Sequence, residues 1–406
     1  MEQRPNLRHL RAFAAAARQQ NISKAAESCH LSQSAVSQAI LKLERHYGCA
    51  LLERRNNGVH PTAYGRIAAE RVERAFDRLR IALERIVPAR RTGGEGPERL
   101  ISVSQLAALS AVAAAGGFKA GARRLGLAQP SVHRALRDLE ALLSASLMER
   151  TSRGFAATRQ GAALALDATL ALKEIDHIRD DIDLARGRFE GRVAVGSLAL
   201  GQSDLLPNAI NAIGERFPNA RFLLQDGSFE QLYRALQQGE IDLIIGARRL
   251  KAEPGLVQEV LFTDRLSVMA RAGHPLSNRR DIGIADIMEW PWVVPRPGTP
   301  TRACCEAVFA RCPERPPRGL IETGSMVMVR GLLGGSDRLT VLSRRQIAIE
   351  EAAGLLTALE FHVPEMERDI ALMMRENWKP TELQVALIEQ LRMRAKEWGV
   401  ERSDGA

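Results

Sequence analysis

The chain has 406 residues, too many for one ordinary domain, and its net charge of +9 is unevenly spread. Residues 1–100 hold 18 Lys/Arg against 10 Asp/Glu, residues 101–190 hold 12 against 10, and residues 191–406 hold 27 against 28, which places a nucleic-acid face at the N-terminal end and a different partner at the other. MEQRPNLRHLRAF has no signal-peptide core, no apolar run reaches bilayer length, and five cysteines lack metal-ligand spacing, so a cytoplasmic protein without membrane partner, metal or cofactor is expected. Those cysteines, Cys29, Cys49, Cys304, Cys305 and Cys312, read as free thiols, with redox sensing at the last three as the lesser alternative.

In chain order, the first informative stretch is NISKAAESCHLSQSAVSQAILKLE, Asn21 to Glu44. It predicts two short helices joined by a tight turn at His30 and Leu31. Ser23 is the predicted N-cap of the first, whose Ala25 and Ala26 let a second helix approach closely. Ser32 is the predicted cap of the second, with Val36, Ile40 and Leu43 inward at i, i+4 and i+7. Ser32, Gln33, Ser34, Ser37, Gln38 and Lys42 then face outward, with hydrogen-bonding groups long enough for base edges and phosphates. This is a helix-turn-helix whose second helix reads DNA, the alternative being an ordinary helical hairpin. Leu51 to Arg55, a turn at Asn56-Asn57-Gly58 and a return to Thr62 predict a basic hairpin, or wing, with Arg54 and Arg55 set for the phosphate backbone.

At these residues the chain resembles the LysR-type transcriptional regulators. The family pattern A-A-x-x-L-x-x-S-Q-(S/P)-x-(V/L)-S-x-x-I-x-x-L-E is followed by a Gly, L-(L/F)-x-R and T-x-x-G. It is matched at Ala25, Ala26, Ser32, Gln33, Ser34, Val36, Ser37, Ile40, Leu43, Glu44, Gly48, Leu51, Leu52, Arg54, Thr62 and Gly65, with Cys29 in place of the usual leucine. The resemblance implies double-stranded promoter DNA, a small-molecule effector and RNA polymerase as partners, and self-association as a homodimer or homotetramer.

Ala63 to Val87 carries Ile67, Val72, Phe76, Leu79, Leu83 and Ile86 at near-heptad spacing, an amphipathic helix that needs a partner. The resemblance implies that this helix dimerises. Pro88 to Glu98, PARRTGGEGPE, has the composition of a flexible linker. The pattern then restarts. Leu106 to Gly161 aligns with Leu10 to Gly65 at a constant offset of 96 without a gap, identical at 17 of 56 columns, among them Gln33/Gln129, Glu44/Glu140, Arg54/Arg150 and Gly65/Gly161. Such a repeat predicts two winged modules in tandem, which the family pattern does not contain.

The second copy has drifted. Lys119 stands at the predicted cap position and Gly121 lies within a short helix, changes worth about 1 kcal/mol each. Its candidate DNA contacts are Gln129, Pro130, His133, Arg134, Arg150 and Arg153. A structural relic is the alternative. The helix predicted from Ala162 to about Arg186 is acidic, with Asp176, Asp180, Asp181 and Asp183, which counts against DNA contact there.

Beyond Gly191 strands and helices alternate: Arg192 to Leu200, Leu205 to Phe217, Arg221 to Gln225, Phe229 to Gln238, Ile241 to Gly246. The alternation predicts βαβ units with a parallel sheet. Gln202 to Pro207, Glu240 to Leu243 and His274-Pro275-Leu276 resemble landmarks of the LysR effector domain, a periplasmic-binding-protein-like (type 2) α/β fold of two subdomains. Ligands in such sheets sit beyond the carboxyl ends of strands. The small and hydroxyl residues there are Gly196-Ser197, Gly227-Ser228 and Pro297 to Arg302. The resemblance implies effector contact at Ser197, Ser228 and Thr299, with Arg302 and Thr323 weaker; ordinary turn and cap roles are the alternative. GSDRLTVLSRRQIAIE from Gly335 is similar to the regulators of sugar-binding-protein and protocatechuate genes, which implies a sugar or an aromatic or carboxylate metabolite.

The expected organisation is therefore a multidomain chain. Winged modules occupy 1–62 and 101–161, and helices 63–87 and 162–187 follow them, with a linker at 88–100. The effector domain is 191–406, with subdomain I at about 191–262 and 370–400 and subdomain II at about 263–369. No P-loop, G-x-S-x-G, H-E-x-x-H or dinucleotide fingerprint is present, so no catalytic residues are assigned. A solute-binding or enzymatic α/β protein with N-terminal modules serving only assembly is the competing reading.

Overall fold

The computed structural model describes residues 4–87, 99–152, 154–188 and 190–400. It divides into two compact units, residues 1–191 and 192–406.

In the first unit, α1 (Leu7–Gln19), α2 (Ile22–Cys29), α3 (Gln33–Tyr47), β1 (Leu52–Arg55), β2 (Gly58–Pro61) and α4 (Ala63–Glu84) form one module with its follow-on helix. α5 (Val103–Ala115), α6 (Phe118–Leu125), α7 (Gln129–Leu143), β3 (Met148–Thr151), β4 (Gly154–Ala157) and α8 (Arg159–Ala185) repeat it. All five elements preceding the follow-on helix recur with both bounds displaced by 96 residues. The identical residues explain why. Glu44 accepts the N–H groups of Leu51 and Leu52 at 2.9 and 3.2 Å, and Glu140 those of Leu147 and Met148 at 2.8 and 3.1 Å, which fixes where each wing leaves its reader. Thr62 and Thr158 cap α4 and α8. A Cβ at Gly65 or Gly161 would lie 1.9 Å from the carbonyl oxygen of Leu51 or Leu147, so only glycine fits. The identities at Glu44, Thr62 and Gly65 thus serve the building of a wing.

Two sequence-based expectations about caps are corrected. Asn21, not Ser23, caps α2, accepting from Lys24 N–H at 3.0 Å, because the helix begins at Ile22. Its counterpart Gly117 makes no side-chain cap, so the cap is lost there rather than at Lys119. Gly121 is also more than a weak helix residue. A Cβ on it would stand 2.9 Å from Val112 Cα, where the first copy has Ala16 against Ala25, both buried. The larger Val112 is accommodated by the smaller Gly121. Gly121→Ala is expected to destabilise the unit by about 1–3 kcal/mol through overpacking, and Val112→Ala in addition to recover only part of that, since it removes Val112 Cγ2 at 2.9 Å but leaves its Cα and N at 2.9 and 3.0 Å. Thermal unfolding of the two variants checks it.

The Ile67 to Ile86 stripe finds its partner within the chain. α4 packs along α8, and Ala68, Val72, Ala75, Leu79, Leu83, Leu164, Ala168, Leu172, Ile175 and Ile178 belong to one core shared by both modules. Ion pairs run the helices antiparallel: Arg71 meets Glu174 (2.7 Å) and Asp181 (2.9 Å), Arg78 meets Asp167 (3.1 Å) and Arg85 meets Asp167 (3.5 Å). Arg179 on α8 and Arg186, which caps its C-terminus, donate to the carbonyls of His46 and Tyr47 at the C-terminal end of α3, where a helix favours cations. Asp180 is pushed up to about 6, first by burial and then by Asp181, Asp176 and Asp183, with Arg71 acting in the opposite sense. The predicted linker, 88–98, lies outside the described residues.

The second unit is an effector-type domain of two lobes. Lobe I holds β5 (Glu190–Ser197), α9 (Leu205–Arg216), β6 (Asn219–Asp226), α10 (Phe229–Gln237) and β7 (Leu243–Ala247). The 16-residue β8 (Leu256–Arg271) carries the chain into lobe II: α11 (Ile284–Met288), β9 (Pro291–Val294), α12 (Pro300–Ala310), β10 (Arg318–Glu322), α13 (Met326–Gly334), β11 (Thr340–Ser343), α14 (Ala348–Ala352) and β12 (Leu356–Ala358). β13 (Glu367–Arg375) returns, and α15 (Glu382–Val400) packs back on α9 and β8.

The main sheet runs β11-β8-β13-β7-β5-β6, with β12 also on β8. It is mixed rather than parallel. β5 and β7 are parallel, but β13 pairs antiparallel with both β7 and β8, because the returning strand enters from the other lobe. Glu240 to Leu243 proves a structural landmark: buried Asp242 accepts from Ala194 N–H at 2.8 Å and ties β7 to β5. His274 is likewise buried, edge-on to Trp290, its pKa lowered by burial. Cys304, Cys305 and Cys312 lie in the lobe II core. Burial pushes the Cys305 thiol up to about 12, far from the thiolate a redox sensor needs.

Candidate DNA-reading faces and effector cleft

On α3, Gln33, Ser34, Gln38 and Lys42 are exposed and Ser37 is half-buried. Ser32 caps the helix by accepting from Ala35 N–H at 3.1 Å, and its hydroxyl lies 2.9 Å from that of Ser34. Behind them Val36, Ile40 and Leu43 are buried, so the polar face is free for DNA. In the wing, Arg54 and Arg55 are exposed; Arg55 folds onto Glu53, an exposed pair that phosphates can displace at little cost.

On α7, Gln129, Pro130 and Arg134 are exposed, and Arg150 is exposed in the second wing. His133 is different. Its ring stacks on Phe118 at 4.5 Å, and Phe118 in turn meets Phe155 edge-on at 5.3 Å, so His133 belongs to a small aromatic cluster bracing the wing. Arg153 lies outside the described residues. Sequence reasoning passed over Asp138, exposed on α7 where the first copy has Lys42. The offset of 96 alone would have found it. A groove of about 390 Å³ between the start of α5 (Ser102, Gln105) and Pro130 and Arg134 flanks this face.

In the effector domain, Ser197 ends β5 and Ser228 follows β6, its neighbour in the sheet. Thr299 follows β9 and Thr323 follows β10, which pair in parallel in lobe II. Ser197 is buried, its hydroxyl turned to the Leu198 carbonyl at 3.3 Å. Ser228 caps α10 in a capping box, and Thr299 caps α12 while donating to the Arg296 carbonyl at 3.0 Å. Thr323 accepts from Ser325 N–H at 3.1 Å. Arg302 is held by Glu322 (2.6 Å) and Glu306 (2.8 Å), pairs that raise its pKa. The hydroxyls thus orient two helix N-termini, while Arg302 is already neutralised.

The residue sequence reasoning missed is Arg249, just past β7. Its guanidinium lies 4.5 Å from the Phe229 ring and 3.9 Å from Glu230, at the start of α10. It also donates to the Gly298 carbonyl at 3.2 Å, beside Thr299. One cation therefore spans the two lobes between both capped helices. Its place at the carboxyl end of a strand was the available signal.

The comparisons agree with this architecture. Residues 186–396 match the family described as LysR substrate binding domain. Residues 7–66 and, separately, 103–162 match that described as bacterial regulatory helix-turn-helix protein, lysR family. The HTH-type transcriptional regulator GalR of Pseudomonas putida is 32% identical over 389 residues, covering 96% of this chain and 97% of its own. The regulator GbpR of Rhizobium radiobacter is 27% identical over 245 residues, 60% of this chain and 81% of its own. A full-length OxyR structure from Pseudomonas aeruginosa shares the fold with a TM-score of 0.55 at 21% identity, over 72% of this chain and 94% of that one. The chain belongs to the LysR family: it is a DNA-binding transcriptional regulator, not an enzyme, with two helix-turn-helix modules and an effector-binding domain.

Proposed function

We propose that the regulator grips promoter DNA through α3, α7 and their wings, and that a small carboxylate-bearing metabolite seats between the helix starts at Ser228 and Thr299, drawing Arg249 onto itself. The observation that carries the effector half is the Arg249 bridge from Phe229 and Glu230 to Gly298. A ligand carboxylate would exchange a neutral carbonyl acceptor for an oppositely charged one and reset how the lobes are held. The helix N-termini capped by Ser228 and Thr299 favour the same charge. This supports an aromatic or aliphatic acid over a neutral sugar. The expected output is altered engagement of RNA polymerase in the cytoplasm; among the described residues no helix is long and apolar enough to cross a membrane.

The test is a thermal-shift screen of sugars and aromatic acids on the full chain, followed by Arg249→Ala and Thr299→Ala. A charge-assisted hydrogen bond contributes about 1.5–3 kcal/mol, so Arg249→Ala should weaken the acid by roughly 10- to 100-fold. Operator affinity without ligand should hold within about twofold. A neutral sugar whose shift survives Arg249→Ala would overturn the acid reading. For DNA, Gln38→Ala/Arg54→Ala should weaken a gel shift and flatten its salt dependence by about 0.9 in log–log slope per phosphate contact removed. An unchanged slope would remove Arg54 from the interface.

A further inference from the structure

The α4–α8 seam has an internal symmetry that the single modules do not show. With an offset of 96, the counterpart of Arg71 is Asp167, that of Arg78 is Glu174 and that of Arg85 is Asp181. Exchange the two copies and the contact Arg71–Glu174 maps onto Arg78–Asp167, while Arg71–Asp181 maps onto Arg85–Asp167. Four of the seam's ion pairs are thus two contacts, each made twice about a pseudo-twofold axis with the signs reversed between copies; a fifth, Arg74 with Glu174 at 3.5 Å, has no counterpart, since Leu170 stands at the position matching Arg74. Two first-copy helices facing each other would set Arg71 against Arg78 and Arg85. Two second-copy helices would set Asp167 against Glu174 and Asp181. Only a first copy against a second copy satisfies the seam.

We propose that one chain carries a complete pair of DNA readers, locked together in cis by this charge inversion, and that the pair reads an operator of two unlike halves. The antiparallel helices and their common core make the two modules pseudo-symmetric partners. The axis that exchanges α4 and α8 exchanges α3 and α7. Paired readers call for two half-sites. The readers differ where they would touch bases: Ser34, Gln38 and Lys42 in one stand where Pro130, Arg134 and Asp138 stand in the other. Half-sites recognised by these sets cannot be copies of each other. The acidity of α8, which argues against DNA contact when the second module is considered alone, belongs to the seam. The operator half of this proposal rests on the DNA-binding reading above; the pairing half stands on the seam alone.

The experiment uses full chains. One carries Asp167→Arg, a second carries Arg78→Asp and Arg85→Asp, and a third carries all three. The first two should each lower the thermal transition of the N-terminal unit by about 3–6 °C, and the third should recover most of that. Co-refolding the first two in equal amounts separates pairing in cis from pairing between chains. A seam between chains would be made complementary by mixing and would recover. A seam in cis stays mismatched and stays low. Recovery on mixing, or no shift in either variant, overturns the pairing. Footprints of Gln38→Ala/Arg54→Ala and Arg134→Ala/Arg150→Ala should each lose protection over a different half of the operator. Equal loss over both halves, or no loss from the second pair, overturns the unlike-halves assignment. If the wild-type chain protects no DNA, the DNA reading fails while the thermal comparison still decides the pairing.

Discussion

Arg71→Ala should cost the N-terminal unit about 3–5 kcal/mol, the range for breaking a buried ion pair from one side. Arg71 is 1% exposed and divides its guanidinium between Glu174 and Asp181. Removing it leaves Asp181 and Glu174 facing a void, with Arg74 at 3.5 Å still beside Glu174, next to Asp180, which already ionises with difficulty. In a unit of this size its melting transition should fall by roughly 10 °C. Arg78→Ala is the internal control. Its side chain is 31% exposed, and its loss should cost about 1 kcal/mol or less. The decisive comparison is Arg71→Met combined with Glu174→Gln and Asp181→Asn, which removes the charges together and should recover most of the loss. If Arg71→Ala costs no more than Arg78→Ala, the seam is held by its apolar residues and the buried ions are incidental.

Arg368→Ala should be as damaging in the effector domain, and should also blunt its response. Arg368 on β13 reaches Asp264 on β8 at 3.0 and 3.2 Å, Gln346 at 3.3 Å and the Thr301 hydroxyl in the first turn of α12. Asp264 is 3% exposed and accepts a further bond from Ser343 at 2.7 Å. β8 and β13 are the strands that pass between the lobes, so this cluster fixes their crossing and the helix that Thr299 caps. Loss of Arg368 should cost the effector domain about 3–5 kcal/mol. At temperatures where the domain still folds, the ligand-induced shift should shrink as well. Arg368→Lys, which keeps the charge but loses the planar fork that grips Asp264 twice while reaching Gln346 and Thr301, should fall between. A variant that melts early yet keeps the full ligand response would assign the cluster to stability alone.

What could be read in advance follows the range of the forces. The helix-turn-helix, its wing and the repeat rest on local spacing and on glycines that nothing else can replace, and these were legible. Caps were less so: Asn21 and Ser23 are both good capping residues two positions apart, and only the packing of α2 against α1 chooses between them. The partner of the Ile67 to Ile86 stripe could not be read from the stripe, because the same periodicity serves a helix of another chain and α8 of this one. Reading Arg71, Arg78 and Arg85 beside Asp167, Glu174 and Asp181 would have distinguished them. The sheet's mixed direction was hidden because a returning strand such as Ile370 to Met374 has the same apolar run in either sense. In the cleft, hydroxyls drew notice and turned out to be helix caps, whereas Arg249 was passed over as one more basic residue in a chain rich in them.

Because α4 and α8 belong to one polypeptide and share one core, their association has no dependence on protein concentration. A regulator assembled from separate halves loses its paired geometry when few molecules are present, since dilution favours the monomer. Here the two modules remain neighbours at any abundance, so one molecule in a cell presents them in the same arrangement as a thousand. Occupancy of a target site by the pair should then rise linearly, not quadratically, with the amount of protein at low expression.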